Sequence, residues 1–223
     1  MQIDVGILFI NRNVDSIYQT DNIMGKSVYF RAFEEEDIDS IYDWKNDDEL
    51  NAMTVGLNRK ICRDDVAAWV RSKMPHNPYE TFWAICSIET KKIIGYAQLT
   101  QIHYINSSAN FSGIVIGDKN YHSGLPWLET YLFIMEYAFE RLGLNRLYGS
   151  SILGHKQSNA IGPILFWTRE GVARQAVFKN GKFYDMKISS LLKNEYFMHK
   201  EKGDYELMAI IKRIKEARKE EKV

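Results

Sequence analysis

Apolar residues along the chain recur with two periods, and the changes from one period to the other divide it into elements. Val28 to Ala32 alternates as a strand. Two helical stretches follow, from about Glu35 to Lys45 and from about Arg63 to Lys73, the second carrying Val66, Trp69 and Val70 on one face. Three strand-like runs then come without a helix between them, Thr81 to Ile88, Ile93 to Ile102 and Asn110 to Ile116. The turn-like Glu89 to Lys92 joins the first two, so the block predicts an antiparallel meander.

A long helix is expected from Pro126 to Leu142, where Leu128, Leu132, Met135, Phe139 and Leu142 recur at helical spacing and Gly143 stands at the C-cap. Asn145 to Ile152 reads as a strand, residues 156 to 169 as a broken helix, and Val172 to Phe178 with Lys182 to Ser189 as a hairpin around Asn180-Gly181. From Asp204 onward Leu207, Ile210, Ile211 and Ile214 share one face amid charges. They predict an amphipathic helix that docks on the domain or on a partner, the first being the simpler expectation. Ahead of Ser27, the strand-like Val5 to Ile10 and a polar stretch ending at Gly25 read as an added arm. The expected division is an arm over 1–26, a domain over 27–192 and a helical extension over 193–223.

At 223 residues, 45% hydrophobic and 13% aromatic, the chain can bury one substantial core. Lys plus Arg and Asp plus Glu both number 29, so no global field draws it to nucleic acid or an anionic membrane. A small molecule or a protein is the expected partner. Cys62 and Cys86 lack the spacing of a zinc or redox motif, which suits a reducing, cytoplasmic setting. The apolar run Gly6 to Ile10 is too short for a signal peptide, and no segment approaches a membrane span. Walker-type loops, G-x-G-x-x-G, H-E-x-x-H and paired C-x-x-C motifs are missing, so phosphoryl transfer, hydride transfer and zinc hydrolysis have no support and no metal is expected.

Several local stretches, taken in order, resemble a known family. They are Arg31-Ala32 before acidic residues, Asp43-Trp44-Lys45-Asn46-Asp47, Lys92-Ile93-Ile94-Gly95 and Gly113-Ile114-Val115-Ile116-Gly117-Asp118. Further on come the run from Tyr137 to Tyr148, Glu170-Gly171-Val172 and the run from Ala176 to Asp185. Together with the order of elements they are similar to the GNAT superfamily of acetyl-CoA-dependent N-acetyltransferases, in its branch of ribosomal-protein and amino-sugar acetyltransferases, over about residues 27–192. The resemblance implies an α/β (α+β) fold with a mixed, mostly antiparallel central sheet flanked by helices. It also implies direct transfer of acetyl from acetyl-CoA to a primary amine of a small molecule or peptide, without a metal.

The same resemblance carries residues over. The diphosphate of acetyl-CoA would rest on backbone N–H groups between the fourth strand and the next helix, which assigns Ile114, Val115, Ile116, His122, Ser123, Gly124, Leu125 and Trp127 to the cofactor. The family's loop is rich in glycine, whereas Tyr121 to Trp127 holds only Gly124, and Pro126 removes one N–H. Diphosphate binding is thus expected to be weakened, rearranged or lost. A family tyrosine acts as general acid toward the thiolate, but an ungapped alignment puts Gly162 at its position, His155 at that of the preceding Asn, and Pro163 where it breaks the helix. His155, Ser158 and Tyr148 are the substitute candidates, with Tyr121 beside them; His103, Asp118 and Glu129 are candidate bases; Trp44 and Tyr104 are candidate acceptor contacts. A non-catalytic binding module with this fold is the alternative, and the family's architecture allows a homodimer. An open cleft between Gly113–Gly117 and Tyr148–Ile152 would favour the enzyme, and a cleft filled by Trp127 the module.

Overall fold

The structure, a computed structural model, describes residues 26–55, 59–122 and 124–220. The strand expected at Val5 to Ile10 lies outside the described residues. The strands are β1 (Val28–Arg31), β2 (Thr81–Ser87), β3 (Ile93–His103), β4 (Ser108–Ile116), β5 (Arg146–Ile152), β6 (Thr168–Lys179) and β7 (Lys182–Leu192). The helices are α1 (Ile38–Lys45), α2 (Arg63–Lys73), α3 (Leu125–Glu136), α4 (Lys156–Ile164), α5 (Lys193–Glu201) and α6 (Leu207–Glu220). The strands form one sheet in the order β1-β2-β3-β4-β5-β7-β6. All neighbours are antiparallel except β4 and β5.

Both faces of the sheet are covered, which is why β2 reads as a nearly continuous apolar run and not as an alternation. On one face α1 and α2 bury Ile38, Ile41, Val66 and Val70 against Phe82, Ala84 and Cys86. On the other, α3 lays Leu128, Phe133, Ile134 and Met135 on Phe30, Trp83 and Ile94; Phe30 and Phe133 stack at 4.0 Å. The turn into α1 is fixed by Arg31, whose guanidinium donates to both carboxylate oxygens of Asp37 at 2.7 and 2.8 Å. Cys62 opens α2 with Sγ accepting the Asp65 N–H, and the acidic first turn and basic last turn suit the helix dipole.

Three elements depart from expectation. The long helix changes at Tyr137–Arg141 into a wider turn, with the Leu142 N–H bonded to the Tyr137 carbonyl, before Gly143 at φ +68° closes it. The helix expected over 156–169 stops at Ile164, because Phe166 turns left-handed at φ +63° and β6 begins at Thr168, four residues before the predicted start. Helix α5 lies within the helical extension expected over 193–223, but no pattern before Asp204 marks it as a separate helix: Tyr196 is its one buried residue, which leaves no periodic stripe to read. The hairpin at Asn180-Gly181 is as expected, with both residues at positive φ, 49° and 75°, as a two-residue turn of matching twist requires.

Helix α6 packs in cis. Ile210 is fully buried in the same core as Ile134 and Leu147, and Arg213 donates from Nε to the Ile164 carbonyl at 3.1 Å at the end of α4. Among the described residues no helix is long and apolar enough to cross a membrane.

Candidate active site

The parallel pairing of β4 with β5 covers only Ser108–Asn110 against Arg146–Tyr148. Beyond it β4 stays bonded to β3 and β5 to β7, so the two central strands diverge. A bulge sharpens the divergence: Gln98 faces Gly113 and Leu99 faces Phe111, which leaves Ser112 outside the pairing, and Gly113 takes φ +127°. The opening is a cleft of ≈ 480 Å³. Gly113 to Val115 form one wall, Gly149 to Ile152 the other, with His155, Ser158 and Gly162 of α4 beside them; Lys45, Asn51, Thr54, Arg59, Trp69 and Tyr96 line the α1–α2 side. Trp127 stands in the wall and does not plug the gap. Its ring meets Tyr131 at 5.3 Å, and Tyr131 in turn sits edge-on to Phe111 at 4.5 Å and to Trp167 at 5.9 Å. The cleft is therefore open, with an aromatic row beneath it.

Gly124 caps α3 at φ +91°, a conformation that glycine adopts without strain, and its carbonyl accepts the Leu128 N–H at 3.0 Å. The first-turn amides of Leu125 and Trp127 have no acceptor within the helix, while Pro126 between them has no N–H to offer. This helix start fits an anionic diphosphate with fewer donors than an unsubstituted turn would supply. Of the residues assigned to the cofactor, Ile114, Val115 and Trp127 line the cleft. Ile116 is buried in the core, and exposed His122 folds back on it, its Nε2 donating to the Ile116 carbonyl at 3.0 Å. Gly124 and Leu125 form the cap itself, and Ser123 lies outside the described residues.

Among the catalytic candidates, His155 and Ser158 line the cleft and Tyr148 does not. His155 caps α4: its Nδ1 accepts the Ser158 N–H at 3.2 Å, so the ring proton of the neutral imidazole sits on Nε2. Burial pushes its pKa down. Tyr148 stays outside the cleft: it lies where β5 is still paired with β4, opposite Asn110, and its hydroxyl donates to Gln101 Oε1 at 2.9 Å. Tyr121 donates to Ser87 Oγ at 3.1 Å.

The base candidates have structural positions outside the cleft. His103 Nδ1 accepts the Asn106 N–H, Asp118 caps the turn at Lys119–Tyr121, and Glu129 receives the N–H groups of Lys26, Ser27 and Val28 where β1 begins. Nor do the acceptor candidates reach it. Trp44 lies flat on Gly117, where an added Cβ would fall 2.1 Å from the indole, and Tyr104 donates to the Pro78 carbonyl at 2.7 Å.

Sequence reasoning missed the cations. Lys45 Nζ stands 3.8 Å from the Trp69 ring centroid, Arg59 lines the same side, and Lys187 reaches the wall from β7. Burial lowers the pKa of Lys45, and burial followed by the field of Arg169 lowers that of Lys187. Behind the lining, Lys179 donates to the Asn51 and Thr54 carbonyls at 2.6 and 2.7 Å. No sequence signal singles these lysines out, since they come from distant segments that only the sheet order brings together. Among the described residues no group of His, Cys, Asp and Glu is placed to hold a metal.

Comparison with known proteins agrees with this geometry. The chain is 24% identical over 179 residues to spermidine N(1)-acetyltransferase of Vibrio cholerae, covering 80% of this chain and 100% of that one. The fold matches the crystal structure of the Vibrio cholerae spermidine N-acetyltransferase in complex with CoA and spermine, with a TM-score of 0.69 at 21% identity, over 78% of this chain and 99% of that one. A GNAT-family acetyltransferase from Bacillus anthracis superposes with a TM-score of 0.66 at 15% identity, over 77% of this chain and 98% of that one. Residues 27–163 match the family described as "Acetyltransferase (GNAT) domain". The chain belongs to the GNAT acetyltransferase family, and as such it is an acetyl-CoA-dependent N-acetyltransferase.

Proposed function

We propose that the acceptor is a small-molecule primary amine that also carries negative charge, acetylated by direct attack on acetyl-CoA within one ternary complex. The carrying observation is the charge of the cleft: Lys45, Arg59 and Lys187 line it, and among the described residues no Asp or Glu does. A polyamine is a multiple cation at neutral pH and would meet like charge with no carboxylate to offset it. An amine bearing a carboxylate or phosphate would be drawn in by the same side chains. This separates the chain from the Vibrio cholerae relative, whose solved structure holds spermine.

Direct attack is favoured over a covalent acyl-enzyme. The cleft offers the hydroxyls of Thr54, Ser150, Ser151, Ser158 and Ser189 but no cysteine, and its histidine is committed through Nδ1 to the Ser158 N–H. The open splay admits the thioester arm along β4, where pairing with β5 has ended.

The test is thiol release from acetyl-CoA with spermidine, spermine, amino acids and amino-sugar phosphates at low and high salt. The anionic amines are expected to give a kcat/KM more than about tenfold above spermidine, a difference near 1.4 kcal/mol, and to weaken with salt. Saturable acetylation of spermidine in preference to every anionic amine overturns the reading.

A further inference from the structure

We propose that Lys187 is the catalytic acid that protonates the departing CoA thiolate. The proposal rests on the acetyl-transfer reading above and deepens it. As the acceptor nitrogen bonds to the thioester carbonyl carbon, the C–S bond breaks and sulfur leaves with the electron pair. In a partly buried cleft that sulfur needs a proton from a side chain.

The cleft narrows the choice. Arg59 stays charged at any working pH. Tyr96 and Tyr131 are made weaker acids by burial, Tyr96 being pushed up to about 12. Lys45 lies over the Trp69 ring on the α1–α2 side. His155 is held neutral, which leaves a hydrogen bond from Nε2 but no readily released proton.

Lys187 is held where α4 meets β5. It pairs with Ser151 of β5, so both side chains leave the same face of the sheet, and its Nζ donates to the Ser158 and Asn159 carbonyls, both at 3.4 Å. Two neighbouring residues of α4 make this seat. Pro163 has no N–H, so the Asn159 carbonyl loses its helical donor and is left for the ammonium. Gly162 leaves the space open: a Cβ there would stand 3.6 Å from Nζ, and any longer side chain would take the volume that Nζ uses. Gly162 and Pro163 thus accommodate a cation delivered from β7.

The surroundings suit a proton donor. No carboxylate among the described residues lines the cleft, and two long bonds to carbonyl oxygens hold Lys187 weakly. Arg169 on β6 opposes its charge; His155 at the N-cap of α4 has its pKa lowered by burial; Asp185 on β7 accepts the Gln175 N–H at 2.8 Å. Burial, the largest cause of its lowered pKa, and then the field of Arg169 make the ammonium a stronger acid than an exposed lysine. In the balanced step Nζ gives one proton to sulfur, and the acetylated ammonium product returns one to the neutral lysine or to water. Amine plus thioester becomes amide plus thiol, with no redox change.

The experiment uses the full chain, K187M and K187R, with melting temperature as the control for folding. First, the thiolate absorbance of bound CoA is titrated without any acceptor. The bound thiol is expected to titrate about one unit below free CoA in the wild type and to lose that shift in K187M. Second, kcat of K187M is expected to fall about 10²-fold or more with acetyl-CoA affinity within about threefold. K187R can hold the two carbonyls but cannot release a proton, so it should melt like the wild type and stay slow. Equal thiol titration in wild type and K187M, K187M within about threefold of wild-type kcat, or recovery of kcat in K187R overturns the proposal. Because the thiol titration needs no acceptor, it stands even where the anionic-amine reading fails.

Discussion

His155 Nδ1 and the backbone N–H of Ser158 are 3.2 Å apart, and this single bond opens α4 on the wall of the cleft. An imidazole serving as N-cap must keep Nδ1 unprotonated. Burial reinforces that state by pushing the His155 pKa below its ordinary value. The stability it contributes is therefore fully present above about pH 6.5, the unfolded value, and is lost as pH falls through the depressed folded value. Denaturant melts between pH 5 and pH 8 should show this slope in the wild type and not in H155N, which keeps a capping oxygen. H155A should lose about 1 kcal/mol at pH 8.

Pro126 stands between two first-turn amides that have no acceptor within the helix at the start of α3. In P126A the missing N–H returns while the carbonyl that accepts Thr130 Oγ1 at 2.7 Å is kept. One added hydrogen bond to a charged diphosphate is worth about 1.5 kcal/mol, so calorimetry should find CoA binding roughly tenfold tighter. Unchanged affinity would mean that the diphosphate does not use this turn.

Lys179 is 4% exposed and ties the Asn51–Thr54 segment to the tip of the β6–β7 hairpin through two carbonyl bonds. K179M should lower stability by about 2 kcal/mol in urea melts. It should also raise the acceptor KM several-fold while leaving acetyl-CoA affinity in place, because Asn51 and Thr54 line the α1–α2 side of the cleft.

Glu170 receives Arg146 through both oxygens at 2.6 and 2.7 Å and the Ser190 hydroxyl at 2.7 Å. The guanidinium first, then the hydroxyl, holds its carboxyl down to about 2. Its contribution is present above the unfolded value of about 4.3 and disappears as pH falls through about 2. The pair is part-exposed, so E170Q should cost no more than about 1 kcal/mol at pH 7 and should flatten the loss of stability between pH 4 and pH 2, measured by thermal melts.

The candidate site was legible in part. The family resemblance assigned His155, Ser158 and Trp127 to the site, and all three line the cleft. Tyr148 and Trp44 could not be excluded that way. Tyr148 stays outside the cleft because β5 is still paired with β4 at that position, and Trp44 is pinned by the close approach of Gly117, just past the end of β4.

What the sequence determined by itself was the local layer: the helix α2 at about Arg63–Lys73, the meander β2-β3-β4, the Asn180-Gly181 turn and the first-turn proline of α3. Period, cap and turn residues act over a few positions, and a chain carries those signals without being folded. Tertiary structure alone decided the charge of the cleft and the seat of Lys187. A lysine on β7 meets a proline-freed carbonyl on α4 only because β7 lies beside β5 in the sheet, and that adjacency is a long-range pairing that no local pattern specifies.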